Sequence, residues 1–186
     1  MQNNTQQLKE EFKSKIARLN DYLWGAGLKD PVTRIQQISF LFFLKMLEEQ
    51  DIAMEKEEKI TGHKHKSIYA GKTEKFRWSR WREKTGDELF KFVRDEVFKF
   101  VERLQNGHTN ISQIFYNADL RIPDKVTLKR AVEIIDTIEF SNLDTDIKGD
   151  LYETLLNGIE SAGELGQFLT PRHIVRAIVE MVNPKI

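Results

Sequence analysis

The amino-acid sequence predicts an all-α fold, a multi-helix bundle with an irregular basic and aromatic excursion between its second and third long helices. Apolar residues recur three and four positions apart in several segments, which places them on one face of a helix. No segment shows sustained alternation of apolar and polar residues, the pattern of a half-buried strand. With 40% hydrophobic residues, the chain of 186 residues can bury a substantial core.

The first predicted helix covers residues 6–24, and the second runs from residue 31 to about residue 53. Asp30 followed by Pro31 begins the second helix, because aspartate caps a helix start and proline suits its first turn. Residues 38–47 are apolar on more than one face, which predicts a core helix buried between other helices. The apolar face of the first helix consists of Leu8, Phe12, Ile16, Leu19 and Leu23.

Helical spacing is lost between residues 54 and 86 and resumes in a third long helix. This helix is predicted to end at Asn106 and Gly107, where a left-handed cap forms easily. Its predicted apolar positions are Leu89, Phe90, Val93, Val97, Phe100, Val101 and Leu104. Further helices are predicted at residues 111–117, 125–138, 146–160 and 170–182.

Charge and cysteine content narrow the classes of function. The 29 basic and 29 acidic residues give a formal net charge of zero, so overall charge does not indicate nucleic-acid binding. The lack of cysteine excludes disulfides and thiolate metal sites, and the four histidines are scattered. The polar N-terminus does not resemble a signal peptide, and residues 38–47 are too short to cross a membrane. We therefore expect a cytoplasmic protein without a metal site or a membrane partner.

Residues 62–86, here called the basic segment, concentrate positive charge. Eight basic side chains against two acidic ones give a net local charge of +6, with four aromatic residues interleaved. This mixture suits phosphate contact combined with base stacking. The alternative is structural, because Trp78 and Trp81 are three positions apart and such pairs more often dock a loop onto a helical core. The predicted nucleic-acid contacts are Lys64, Lys66, Lys75, Arg77, Arg80 and Arg82.

The remaining charged residues indicate no catalytic or metal site. His63 and His65 are predicted to be exposed loop residues, because no carboxylate or cysteine pattern supports them as ligands. The charged run at residues 48–59 is interpreted as a solvated helix end. Asp150 and Glu153 share a predicted helix without a visible base or nucleophile, so no acid–base pair is predicted.

The most informative stretch is the glycine-bearing loop at residues 163–176, which leads into a helix begun by Thr170 and Pro171. The unpaired N–H groups and positive dipole end of such a helix can hold an anion or a carboxylate. From the residues alone, simple capping by Thr170 and packing of Phe168 is the more common explanation.

Residues 166–175, Gly-Gln-Phe-Leu-Thr-Pro-Arg-His-Ile-Val, resemble the Gly-Gln-Phe-aromatic-Thr-Pro-Arg signature of a known family. The family comprises the DNA-methyltransferase (modification) subunits of type I restriction-modification systems and related adenine-N6 methyltransferases. Leu169 departs from the aromatic residue that is frequent there. Gly149, Tyr152 and Glu153 resemble the family's Gly-x-x-Tyr-Glu helix. Supporting similarity in family order occurs at residues 23–47, 76–81, 97–98 and 120–123, so the resemblance spans nearly the whole chain.

The resemblance implies that this loop lies at the edge of an S-adenosylmethionine (S-adenosyl-L-methionine) pocket, completed only in the whole protein. Residues 1–160 would form an N-terminal helical domain, and residues 161–186 a cofactor-edge loop and first helix leading into a Rossmann-like methyltransferase domain. That domain's glycine-rich loop and Asn-Pro-Pro-aromatic motif do not occur in these residues, so we expect the chain alone to be inactive. The residues implied at the cofactor edge are Gln167, Phe168, Leu169, Thr170, Pro171 and Arg172.

The function implied by the resemblance is support of adenine-N6 methylation of DNA. This includes DNA clamping and contact with the sequence-specificity and restriction subunits of the same system. The alternative is a free-standing helical module that binds protein or DNA and never contacts cofactor. The apolar face formed by Ile174, Ile178, Val179 and Val182 also predicts self-association of the chain when its partner domain is missing.

Overall fold

The protein is described by a computed structural model that covers residues 2–104 and 118–138. Every regular element within these residues is helical, which confirms the predicted all-α class. Several predictions lie outside the described residues: the Asn106–Gly107 helix end, the helices at 111–117, 146–160 and 170–182, the loop at 163–176, and the domain boundary near residue 160.

Helices α1 (Gln2–Gly25) and α2 (Pro31–Thr61) pack against each other across a short turn. Asp30 caps α2 as predicted, accepting a 2.7 Å hydrogen bond from the backbone N–H of Thr33. The buried guanidinium of Arg34 donates to the carbonyls of Leu28 and Lys29, which fixes the turn. The predicted apolar face of α1 is buried at Phe12, Ile16, Leu19 and Leu23, while the side chain of Leu8 lies outside the described set.

Helix α2 continues to Thr61, so its predicted end near residue 53 is wrong. Residues 54–59 lose the apolar periodicity, but their Met, Glu and Lys side chains have high helix propensity and prolong the helix. The helix ends at Gly62, whose φ of 75° supplies a left-handed cap. The excursion therefore begins at residue 62, and it contains a 3₁₀ turn (Gly71–Phe76) and the one-turn helix α3 (Trp78–Trp81).

The third long helix is continuous but contains a π turn. It consists of α4 (Gly86–Phe92), the π turn (Val93–Val97) and α5 (Phe98–Glu102). The buried positions are 89, 92 and 93 before the turn and 97, 98 and 101 after it. An unbroken α-helix would continue the first set at 96, 97 and 100, so the π turn shifts the buried face by one residue.

Because of the π turn, the buried positions of this helix differ in part from the predicted ones. Phe90, Phe100 and Leu104 were expected on the apolar face, but they are only half-buried at its edge. Phe92 and Phe98, which the spacing did not include, are buried instead. The other four predicted positions, Leu89, Val93, Val97 and Val101, are buried as expected, and regular α spacing missed Phe92 and Phe98 because it does not allow for an extra residue in one turn.

Helix α6 (Lys125–Asp136) packs on α1, α2 and α4. Asp124 caps it by accepting hydrogen bonds from the N–H groups of Val126 and Thr127 at 2.8 and 2.9 Å. The preceding strip, residues 118–123, is held by Gln37, whose amide donates to the carbonyl of Asp119 and accepts from the N–H of Arg121. The buried residues of α6 are Thr127, Leu128, Ala131, Val132 and Ile135.

Candidate nucleic-acid interface

The basic segment is folded onto an acidic face of α2. Glu48, Asp51 and Glu55 are spaced three and four apart, so they lie on the same side of this helix. Glu48 and Asp51 are each only 4% exposed, so the interpretation of residues 48–59 as a solvated helix end is wrong for these two residues, whereas Lys56, Glu57 and Lys59 are exposed as predicted. The carboxylates tolerate burial because the basic segment supplies hydrogen-bond donors to them.

Asp51 is the centre of these contacts. Its carboxylate accepts hydrogen bonds from the hydroxyl of Ser67 at 2.7 Å and from the backbone N–H of Ile68 at 3.3 Å. The Nε2 atom of His65 lies 2.8 Å from the same carboxylate. Burial alone would raise the pKa of Asp51, but the hydrogen bonds from Ser67 and His65 outweigh it and hold this pKa below its ordinary value.

The position of His65 corrects the prediction that both neighbouring histidines are exposed. The side chain of His65 is only 19% exposed because it turns towards Asp51, whereas His63 is exposed as predicted. A hydrogen bond to a buried carboxylate therefore orients His65.

Arg77 is fixed between two acidic residues of α2. Its guanidinium donates to Glu55 at 2.7 Å and to Asp51 at 3.2 Å, and it lies 5.0 Å from the ring centroid of Tyr69. Burial lowers the pKa of Arg77, but its bond to Glu55 and the charge of Asp51 raise it above its ordinary value. Only 14% of the side chain is exposed, so Arg77 mainly attaches the basic segment to α2.

Glu48 performs a similar role at α3. Its two carboxylate oxygens accept from the backbone N–H of Ser79 at 2.8 Å and from the Ser79 hydroxyl at 2.6 Å. These bonds satisfy an N–H group at the start of the short helix α3, where no residue within the helix can do so. Helix α3 is therefore held in place from α2.

Trp78 and Trp81 are structural, as predicted. They are 2% and 0% exposed, with ring centroids 4.6 Å apart and an interplanar angle of 68°. The indole N–H of Trp78 donates to Asp136 at 2.8 Å. The tryptophans thus dock the basic segment onto the end of α6 and present no free ring face for a base.

The other aromatic rings of the basic segment are also packed internally. Phe76 stacks on Phe100 and Phe92 of the third long helix, with centroid distances of 4.3 and 5.7 Å, and Tyr69 is 2% exposed. The side chains that the described surface of this segment offers to solvent are therefore chiefly cations. Such a surface suits phosphate contact better than base stacking.

Five of the six predicted contact residues retain access to solvent. Lys64 and Lys66 are exposed. The side chains of Lys75 and Arg80 are 54% and 63% exposed and pair with Glu96 and Glu74. Arg82 is 37% exposed and pairs with Asp136.

The acidic residues that organise the segment were missed by sequence reasoning. The signal that could have revealed them is the spacing of Glu48, Asp51 and Glu55 along one helix face, opposite a segment of opposite charge. Among residues 2–104 and 118–138, no group of three or more histidine, cysteine or acidic side chains could hold a metal ion. No helix in the same described part is long and apolar enough to cross a membrane. The implied cofactor-edge residues 167–172 lie outside the described residues.

Comparison with protein families gives two adjacent matches. The model described as HsdM N-terminal domain matches residues 12–138, about two thirds of the chain. The model described as N-6 DNA Methylase matches residues 143–186.

Comparison with individual proteins points the same way. The chain is 28% identical to the type I restriction enzyme EcoEI methylase subunit of Escherichia coli, over 94% of this chain and 37% of that protein. It is 25% identical to the EcoKI methylase subunit of Escherichia coli strain K12, over 94% of this chain and 31% of that protein. The chain thus spans about a third of the length of these relatives.

The fold also has a counterpart among solved structures. A chain from a study of complex assembly and conformational transition of the type I R-M system superposes with a TM-score of 0.68. The two chains are 24% identical, and the alignment covers 96% of this chain and 36% of the other. This likeness establishes the helical fold.

Proposed function

This chain belongs to the HsdM N-terminal domain family, and on that premise we propose that it helps a type I restriction-modification methylase bind DNA, assemble with its partner subunits and complete its cofactor site. The observation that carries the proposal is the order of the two family matches. The match to the HsdM N-terminal domain ends at residue 138, and the match to N-6 DNA methylases begins at residue 143 of the same chain.

The proposed DNA contact is made by the exposed cations of the basic segment. Lys75 and Arg80 are already paired with Glu96 and Glu74, but exposed ion pairs contribute little stability and exchange readily for a phosphate. Lys64 and Lys66 are exposed. Phosphate contacts of this kind give affinity without reading sequence. Sequence selection would then fall to another subunit.

The proposed cofactor edge is the stretch from Gln167 to Arg172, by resemblance to the family signature. S-adenosylmethionine would supply the methyl group for adenine N6 in the complete protein. The backbone N–H groups at the start of the helix predicted after Thr170 would suit the carboxylate of its methionine part. The base would have to leave the DNA stack for this reaction, as bases do in DNA methyltransferases.

The proposed protein partners are the specificity and restriction subunits of a type I system. The supporting observation is that relatives covering 94% of this chain are described as methylase subunits of type I restriction enzymes. The likeness to a chain from a type I R-M assembly is in keeping with this.

The test uses the complete protein together with its specificity subunit. Transfer of a labelled methyl group from S-adenosylmethionine to DNA should be detected with this complex and not with residues 1–186 alone. The double change Gln167→Ala and Thr170→Ala should weaken cofactor affinity about ten-fold, equivalent to losing about 1.4 kcal/mol of binding. Thr61→Ala, at the exposed end of α2, is the control. Unchanged affinity in the loop variant, or no methyl transfer by the complex, would contradict the proposal.

A further inference from the structure

The last turn of α6 is held by lysines from two other helices. Lys45 of α2 is 7% exposed, and its ammonium group donates to the carbonyls of Ile135 at 3.2 Å and Asp136 at 2.8 Å, and also to that of Ile138. Lys15 of α1 donates to the carbonyl of Thr137 at 3.0 Å. All four successive carbonyls at this helix end therefore accept a hydrogen bond from a cation, which also suits the negative end of the helix dipole.

The basic segment holds the same turn through the side chain of Asp136. One carboxylate oxygen accepts from the indole N–H of Trp78 at 2.8 Å, and the other accepts from Arg82. Elements separated by up to 122 positions along the chain thus converge on residues 135–138. We call the five side chains Lys15, Lys45, Trp78, Arg82 and Asp136 the junction anchor.

The junction anchor lies where the two family matches meet. Residue 138 ends the match to the helical domain, and the match to N-6 DNA methylases begins at residue 143. A buried ammonium group shared by several carbonyls resists fraying, because releasing the chain would take three backbone acceptors away from Lys45 in a desolvated site. The direction in which the chain leaves α6 is therefore fixed relative to both α2 and the basic segment.

We propose that the junction anchor sets the orientation of the methylase region relative to the basic segment, with Lys45 and Asp136 as positioning residues for methyl transfer. This inference rests on the proposed function. DNA would be held by the basic segment, and cofactor by the methylase region beyond residue 143. Their separation stays constant only if residues 135–138, from which the chain continues into the methylase region, are held rigidly against the basic segment. A misplacement of about 1 Å can reduce a reaction rate about a hundred-fold, so rigidity here acts on the rate rather than on binding.

The kinetic test compares variants in the complete methylase with its specificity subunit. Lys45→Met removes the shared ammonium group, and Asp136→Asn removes the charge paired with Arg82 while keeping an acceptor for Trp78. We expect kcat for methyl transfer to fall about ten- to a hundred-fold, with the KM values for DNA and S-adenosylmethionine within about two-fold of the original. Arg82 is left unchanged, because it is also a predicted DNA contact.

The matched control is Arg34→Met, which removes another buried cation that donates to backbone carbonyls, here at the α1–α2 turn. Its kcat per folded molecule should stay within about two-fold of the original, since Arg34 lies about 16 Å along α2 from Lys45, beyond the range at which substitutions usually couple. An equal loss of kcat in the control, or KM values that rise in proportion to the loss, would overturn the inference. If Lys45→Met does not fold, the half-buried Asp136→Asn decides the question alone.

A second readout does not depend on activity. Spin labels are placed at Lys72→Cys in the basic segment and Lys185→Cys in the methylase region, in the complete protein with its other cysteines replaced. The distribution of distances between the labels should broaden in Lys45→Met and Asp136→Asn and stay narrow in Arg34→Met. An unchanged distribution in both anchor variants overturns the inference. Broadening in a protein that transfers no methyl group would instead support the anchor while the proposed function fails.

Discussion

Asp51 accepts a hydrogen bond from Arg77 at 3.2 Å, beneath the segment that carries all six predicted DNA contacts. Glu55 is a second acceptor for the same guanidinium at 2.7 Å, and 14% of the Arg77 side chain is exposed. Arg80, three residues later, is 63% exposed and pairs with Glu74, which is itself exposed. Two arginines of similar sequence context therefore have different physical roles, one in attaching the segment and one at its surface.

The first prediction distinguishes the roles of Arg77 and Arg80 by the effect of each side chain on the free energy of unfolding. Arg77→Ala should lower the free energy of unfolding by about 2–3 kcal/mol, because it leaves the buried Asp51 carboxylate with one donor fewer. Arg80→Ala should change it by less than about 1 kcal/mol, since exposed ion pairs contribute little. Urea unfolding of the purified chain, followed by circular dichroism, measures both. Equal effects of the two variants would contradict the assignment of Arg77 to the attachment.

The second prediction concerns DNA binding by the complete methylase. Replacing Lys64, Lys66 and Arg80 together by Ala should weaken binding and reduce the slope of log K against log salt concentration. The slope should fall by about 0.9 for each phosphate that the variant no longer neutralises, or by nearly 3 for all three side chains. Fluorescence anisotropy between about 50 and 200 mM salt measures the slope.

A matched triple variant tests whether position or charge alone matters. Lys13, Arg18 and Lys91 are exposed cations outside the basic segment, and replacing them by Ala removes the same charge. This control should keep the original slope within about 0.5. If both triple variants lower the slope equally, the effect comes from net charge and the basic segment is not the contact surface.

The third prediction is a dependence of stability on pH. The pKa of Asp51 is held below its ordinary value of 3.8 in the folded chain, so folding favours the ionised form. Its contribution to stability is present above the unfolded-state pKa and is lost as the pH falls through the lower folded-state pKa. Asp51→Asn should therefore be less stable at pH 7 and lose less additional stability below about pH 4. Thermal melting from pH 7 downwards measures this.

The control for that experiment removes a carboxylate at the surface. Asp21 is exposed on α1, and Asp21→Asn changes the net charge by the same amount as Asp51→Asn. A variant of Asp51 whose melting temperature follows the same pH profile as the original chain would show that this carboxylate is not linked to folding.

The helical fold could be predicted because its signals are local. The apolar spacing in α1 and the capping residues Asp30 and Pro31 depend on neighbours within one or two turns, and the structure places them as expected. The length of α2 was underestimated because high helix propensity continues past the last buried apolar turn. Periodicity reports burial, and burial is only one of the reasons for a helix to continue.

The charge of the candidate interface could be predicted from the sequence, but the exposure of its side chains could not. Six basic residues could be selected from the sequence, yet burial of Arg77 depends on Asp51 and Glu55, which lie 26 and 22 positions away. Pairings at that separation carry no local signature, and only the spacing of acidic residues along α2 indicated them. The same holds for Lys45, whose backbone carbonyl partners lie 90 to 93 positions further along the chain.

The fourth prediction follows from the π turn at Val93–Val97. The buried positions of this helix are 89, 92, 93, 97, 98 and 101, and those after the turn come one residue later than α-helical spacing requires. Deleting the exposed Asp95 would bring the later ones to the spacing of an uninterrupted α-helix, with every buried side chain still facing the core. The deletion variant should therefore fold and melt within about 4 °C of the original, a shift that corresponds to less than about 1 kcal/mol.

Deleting Lys99 is the matched control, because this residue is also exposed but lies after the π turn. Its removal would rotate the buried Val101 by about 100° relative to Phe98 and expose it, at a cost of about 2 kcal/mol and a correspondingly larger drop in melting temperature. Thermal melts followed by circular dichroism compare the melting temperatures of the two deletion variants. If the Asp95 deletion lowers the melting temperature more than the Lys99 deletion does, the packing of this helix requires the π turn. The explanation of the π turn as a single extra residue would then be wrong.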